Sequence, residues 1–143
     1  MFISAVCFVI GYVWSDVYEY FSHKFLHRFT NKRWKILSSH WRKHHVNSRR
    51  NGMKDIPTGN EGIFILLSAV LYWLLLWSWA PWIWIGIVAG SAEYLYVHWR
   101  SHVNPEWAKT HLPWHYKHHM SDQRRNWGVR RPWVDKLLGT YES

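Results

Sequence analysis

The lysines and arginines of this chain are confined to two blocks, and the apolar residues fill what is left. Residues 1–23 carry no Lys or Arg, residues 24–54 carry ten and no acid, and residues 55–99 again carry none. The remaining eight lie between Arg100 and Lys136. The run from Ile63 to Val97 has Glu93 as its only charge over 35 residues. At ~1.5 Å per residue that is too long for one bilayer span and suits two short ones. Ser78-Trp79-Ala80-Pro81-Trp82 interrupts it, because Pro81 cannot continue a helix but is well placed in the first turn of a new one. The pattern predicts a helical hairpin, about 61–79 and about 81–103. Each apolar arm, about 16–17 residues, is short for a ~30 Å hydrocarbon core.

The first segment, Phe2 to Tyr20, is apolar until Trp14 and then takes Asp16 and Glu19. It lacks the basic start and small-residue cleavage site of a signal peptide, so it reads as a retained membrane helix over about 2–22. A hairpin returns both ends to one side, and the positive-inside rule makes that side cytoplasmic. The expected architecture is an all-α, multi-pass integral membrane protein of one domain, 1–143. It has about three membrane-embedded helices, with cytoplasmic segments 23–54 and 98–143. Trp73, Trp77, Trp79, Trp82 and Trp84 cluster at the hairpin turn, as an interfacial belt would. The competing reading is a soluble helical protein with a Trp-rich core.

Composition narrows the chemistry. The net charge is +9 with His neutral, yet 48% of residues are hydrophobic, unlike a disordered basic tail. The single Cys7 excludes an internal disulfide and a Cys-based zinc finger. Nine acids scattered along the chain do not suit a carboxylate-bridged helical bundle.

There are 11 histidines, and they fall into four groups beside or within the basic blocks: His23/His27, His40/His44/His45, His98/His102 and His115/His118/His119, with His111 left over. On a helix, residues i, i+3 and i+4 share a face. Pro113 suits the start of the helix carrying the last group, and Asn104-Pro105 suits a stop and restart after His102. Ten clustered imidazoles without a metal would leave many buried nitrogens unpaired. Two ions with about five nitrogen ligands each fit the count. Imidazole suits zinc, copper, iron and nickel alike, so the spacing leaves the metal open. Nucleic-acid or anionic-lipid binding and passive metal storage are the alternatives, and both predict irregular spacing.

The order HxxxH, HxxxHH, HxxxH, HxxHH resembles the histidine-box membrane-bound di-iron oxygenases. His115-Tyr-Lys-His118-His119, then Trp127-Gly128-Val129, then Trp133-Val134-Asp135 through Gly139-Thr140 resembles the fatty acid hydroxylase (sterol desaturase) superfamily. Asn47-Ser48-Arg49-Arg50 resembles a run found in fatty acid 2-hydroxylases. The first box is one residue shorter than usual in that superfamily. The resemblance implies that His23, His27, His40, His44, His45, His98, His102, His115, His118 and His119 ligate two iron ions, with zinc as a substitute in purified material. It implies O₂-dependent hydroxylation or desaturation of a lipid acyl chain, in lipid biosynthesis. A carotenoid ring hydroxylase is the alternative enzyme. A non-catalytic metal- or haem-binding membrane protein is the alternative of another class.

No haem-attachment motif, Cys cluster or GxGxxG is present, so the electrons are expected from an external ferredoxin or cytochrome b5-type donor. The basic face suits such an acidic partner, but membrane topology and anionic lipid headgroups account for the same charges more readily. Nucleic acid is not expected as a partner, and the oligomeric state is open. Glu19, four residues before His23, and Asp122, four after His118, are expected to accept the outer N–H of ligand histidines. A capping or solvated role is the alternative for Asp122. His111 is expected either beside the metal or on the surface, and Asp135 is expected to fix the C-terminal fold against the site. Ser68, Ala69, Gly86, Ala89, Gly90, Ser91 and Ala92 suit close helix packing or an acyl channel. Substrate is expected to enter from the bilayer along the hairpin and the first helix.

Overall fold

The computed structural model describes residues 2–55 and 60–143. Helix α1 (Phe2–Leu26) is followed by a single rod made of α2 (Leu37–Ser39), a π-helical segment (His40–His45) and α3 (Val46–Arg50). Helices α4 (Asn60–Leu76) and α5 (Pro81–Val103) form the hairpin, with Pro81 at the first turn of α5. Helices α6 (Pro105–His111), α7 (Pro113–Met120) and α8 (Trp133–Leu137) complete the chain. Asn104 ends α5 and starts α6, its side-chain Oδ1 accepting from the Trp107 N–H at 3.1 Å. Pro113 opens α7.

Helices α1 and α5 run in the same direction and touch closely. A Cβ at Gly11 would collide with the Ile83 carbonyl, one at Gly86 with the Phe8 carbonyl, and one at Gly90 with Ser15 Oγ. Small residues therefore serve helix approach here. Both helices deliver their C-terminal histidines to the same end of the molecule.

Burial is inverted relative to a soluble domain. Leu66, Leu67 and Leu74 of α4 are more than half exposed, as are Phe2, Val9 and Phe21 of α1. Among fully buried side chains, histidines dominate, with Asp135 and Asn126 beside them. Trp14, Trp34, Trp73, Trp77, Trp79, Trp82 and Trp99 are exposed, while Trp127 is buried. A Trp-rich soluble core is therefore not what these residues build. Contiguous apolar surface on this scale calls for an apolar surrounding. Of the three expected membrane helices, α1 is long and apolar enough to cross a bilayer, while the apolar stretch of α4, Gly62–Leu76, is shorter. A small apolar cluster of Tyr20, Trp127 and Val134 ties α1 to the C-terminal segment.

Candidate metal centre

The four histidine groups of the sequence become two groups in space. His23, His27, His40 and His45 place one ring nitrogen each within 4.8 Å of one another, and His44, His98, His102 and His119 do the same. His118 joins the first, its ring 4.6 Å from His23 and 4.9 Å from His45. His115 joins the second, 4.7 Å from His119 and 5.2 Å from His98. The groups adjoin where His45 stacks on His119 at 4.2 Å, rings 8° from parallel.

The π-helical segment makes this division. In a π turn residues i and i+5 come onto one face, and such turns concentrate at functional sites. His40 Nε2 and His45 Nε2 lie 3.1 Å apart, while His44 Nε2 lies 3.1 Å from His98 Nε2 in the other group. A regular α-helix, as the spacing predicts, pairs His40 with His44 instead. Sequence reasoning missed this because the i+4 rule assumes 3.6 residues per turn.

The geometry fits metal ions. Metal–imidazole bonds of about 2.1 Å place neighbouring ligand nitrogens about 3 Å apart, close to the 3.1 Å between Nε2 of His98 and His102. Among the described residues, six buried imidazole nitrogens have no hydrogen-bond partner: Nδ1 of His45, both of His115, Nε2 of His118 and both of His119. Each orphaned buried polar atom costs about 1–3 kcal/mol. Six of them rival the entire ~5–15 kcal/mol stability of a domain; bound cations, taking one nitrogen per ring, would satisfy His118 Nε2 and one nitrogen each of His115 and His119. Burial, then neighbouring imidazoles, hold His45, His115 and His119 well below the usual histidine range, and burial pushes His118 down to about 3. These rings are neutral at pH 7, as ligands must be.

The outer nitrogens of His23, His118, His102 and His44 are anchored. In the first group, His23 Nδ1 donates to the Trp127 carbonyl at 2.7 Å and His118 Nδ1 to the Arg125 carbonyl at 2.6 Å. In the second, His102 Nδ1 donates to the Met53 carbonyl at 2.8 Å and His44 Nδ1 faces Asp55 Oδ2 at 3.2 Å. Such bonds fix the tautomer and aim Nε2 inward. Gly52 and Met53 adopt left-handed backbone, φ 62° and 74°. For Met53 that conformation costs about 1–3 kcal/mol, and it turns the chain so that residues 53 and 55 both reach the second group.

The segment 127–130 is held by two carboxylates. Asp135 accepts the N–H groups of Trp127 and Gly128, each at 2.8 Å, and the Thr140 hydroxyl at 2.7 Å. Glu19 accepts the N–H groups of Val129 and Arg130, and Arg130 Nε at 3.0 Å. Asp135 thus fixes the C-terminal fold against the site through the carbonyl that receives His23. Glu19 was expected on a histidine and stands instead on the 129–130 backbone. Its face of α1 meets the C-terminal segment before it meets a ring.

Arg130 and Arg131 do not extend into solvent with the rest of the basic block. Arg130 pairs with Asp16, Glu19 and Glu93, while Arg131 pairs with Glu93 at 3.0 Å and with Asp16 at 3.4 Å. Asp16, Glu19 and Glu93 are therefore partners of arginines 37 to 115 residues away. Asp122 also differs from the metal-side expectation. It accepts from the Arg124 backbone at 3.0 Å and from the Arg124 side chain at 3.2 Å, the turn-capping role. His111 is exposed, donates Nδ1–H to the Trp107 carbonyl and stacks on Trp107, the surface role. Asp55 was missed, since it lies past the end of α3 and beyond the left-handed turn at Gly52 and Met53, where helix periodicity no longer relates it to His44.

A cleft of about 180 Å³ lies between α1, α4 and α5, lined by Phe25, Leu26, Phe64 and Ile65 among others, and it reaches His23 and His40. No histidine of the second group lines it. Tyr18 hydrogen-bonds Ser68 across α1 and α4 near this wall.

A helical chain with two adjoining imidazole groups and an outward apolar surface defines a class of membrane-associated metalloprotein. The fatty acid hydroxylase family model matches residues 8–140, and the chain belongs to that family. No curated protein and no solved structure gave a significant match. Membership makes the protein an oxygenase-type enzyme acting on lipids, with a histidine-rich site suited to metal.

Proposed function

We propose that this protein is a multi-pass membrane di-iron hydroxylase of lipid acyl chains, serving lipid biosynthesis, with its metal site on the cytoplasmic face. The observation that carries the reading is an apolar cleft from the α1/α4/α5 face that ends on His23 and His40, one edge of the paired imidazole groups. When bound, an iron pair supplies O₂ activation and insertion of one oxygen atom into a C–H bond, with two electrons from an external donor.

The chain's own residues do the rest. The ten imidazoles hold the two ions, and backbone carbonyls at Arg125, Trp127 and Met53 keep Nδ1 protonated so that Nε2 ligates. Phe64, Ile65, Phe25 and Leu26 line an apolar slot that orients an extended chain and excludes water. Exposed Arg42, Lys43, Arg49 and Arg50 lie on the rod that carries three of the ligands, a suitable docking face for an acidic ferredoxin or cytochrome b5-type donor.

The test is metal analysis of the purified protein, together with lipid and pigment profiling of an expressing host with and without His118→Ala. The reading expects about two irons per chain and hydroxylated acyl chains that disappear in the variant. Altered pigments with unchanged acyl chains would assign a carotenoid ring hydroxylase instead. A protein without bound metal would overturn the reading.

A further inference from the structure

We propose that the cleft is a blind slot for the methyl end of an acyl chain, with Tyr18, Gly90 and Ser91 at its closed end. The carbon presented to His23 and His40 is then fixed by its distance from the methyl terminus, not from the headgroup. The inference rests on the lipid-hydroxylase reading above and adds which carbon that site oxidises.

Toward the hairpin turn, each seam between the three helices is closed. Between α1 and α5, Ser15 Oγ occupies the space that a Cβ on Gly90 would need, and the Phe8 carbonyl does the same at Gly86. Between α1 and α4, the Tyr18 hydroxyl bonds Ser68, and one turn further on Trp14 Nε1 donates to the Tyr72 hydroxyl at 3.0 Å. Between α4 and α5, Trp84 Nε1 donates to the Ala69 carbonyl at 2.9 Å. In an apolar surrounding such bonds have no water to exchange with. The other end differs. Phe25, which lines the cleft two residues beyond His23, is 49% exposed. The cleft is therefore open at the metal end and closed at the other.

Depth and lining decide what enters. From His23 to Ser15, the deepest α1 residue of the lining, is about two helical turns, ~12 Å. At about 180 Å³ the slot is smaller than the ~300–1,000 Å³ pockets that engulf a whole ligand, so it takes one end of a chain. Most polar side chains along it are engaged. Tyr18 bonds Ser68, Ser15 donates to the Tyr12 carbonyl at 2.6 Å, and Ser22 donates to the Glu19 carbonyl at 3.1 Å. The Glu19 carboxylate is held by Arg130. Ser91 adds a single hydroxyl at the closed end. That end suits a methyl terminus better than a charged head. The mouth lies where the basic block begins, with Lys24 and Arg28, and an anionic headgroup is favoured there. Tyr18 and Ser91 are specificity-determining residues in this scheme, and the bond to Ser68 fixes the Tyr18 ring.

The experiment uses the full chain in detergent and two photoactivatable fatty acids, one carrying a diazirine at its methyl end and one beside its carboxyl. Peptide mass spectrometry should place the methyl-end adducts on residues 15–18 and 90–91, and the carboxyl-side adducts on residues 25–28. The reverse pattern, or no methyl-end adduct within the cleft, would overturn the inference. A plain fatty acid should displace the methyl-end probe better than the same chain with a terminal hydroxyl. The opposite order would assign the closed end, through Ser91, to a polar terminus and overturn it too. In an expressing host fed saturated chains of several lengths, the new hydroxyl should keep one distance from the methyl end. Tyr18→Ala should move it toward the carboxyl, and Ser91→Phe toward the methyl end. A hydroxyl at constant distance from the carboxyl would also overturn the inference. Should Tyr18→Ala fail to fold, wild-type labelling still decides it. Metal-loaded protein that labels as expected but yields no hydroxylated chain would instead overturn the lipid-hydroxylase reading and leave the slot standing.

Discussion

His44 and His45 are adjacent in the chain, yet their Nε2 atoms face different imidazole groups, His44 toward His98 and His45 toward His27 at 2.8 Å. The π turn between α2 and α3 produces that divergence and binds the two groups into one centre.

Alanine at either position should therefore remove a different metal. His44→Ala is expected to lose the ion of the His98 group and His45→Ala that of the His23 group, each leaving about one ion per chain. Metal content combined with the His40→Ala and His98→Ala backgrounds reads this directly. Loss of both ions from each variant would argue for one indivisible site.

The contact of α1 with α5 depends on Gly86, where an added Cβ meets the Phe8 carbonyl. Backbone cannot yield as a flexible side chain can. Gly86→Ala should destabilise by about 1–3 kcal/mol, seen as a lower unfolding temperature in detergent. An unchanged unfolding temperature would mean the helices are not so closely packed.

Arg130 is the common partner of Asp16, Glu19 and Glu93. Removing one member of a buried ion group leaves uncompensated charge and costs about 3–5 kcal/mol. Arg130→Met should fall in that range, and Arg130→Met with Glu19→Gln should recover part of it. Chemical unfolding of the single and double variants tests the coupling.

Acid should destabilise the metal-free fold. His118 is held down at about 3 and His45, His115 and His119 well below their usual range. The unfolded chain takes up protons near pH 6.5 while the folded chain does not. The stability of the neutral rings is thus fully present above pH 6.5 and lost as pH falls below it, by about 1.4 kcal/mol per pH unit for each such group. Unfolding of the metal-free protein between pH 7.5 and 5.5 measures the slope, and a flat profile would contradict it.

Phe64 lines the cleft without contributing a metal ligand. Phe64→Trp should shift the products toward shorter or less bulky chains while metal content stays constant, and Phe64→Ala the reverse. Product profiling by mass spectrometry, beside metal analysis, distinguishes this from loss of the site.

The sequence by itself determined the elements and the inventory. Helix limits followed from Pro81, Asn104-Pro105 and Pro113, and the histidine groups from local spacing, because capping and i+4 geometry depend only on neighbours along the chain. Segregation of charge likewise marked which segments are apolar. Tertiary structure alone decided how ten histidines divide into two fives, since that rests on one π turn whose register no local rule specifies. It also decided which acids serve which cations. Glu19 answers Arg130 and Asp55 answers His44, because burial selects carboxylate partners by where the backbone carries them and not by their distance in sequence.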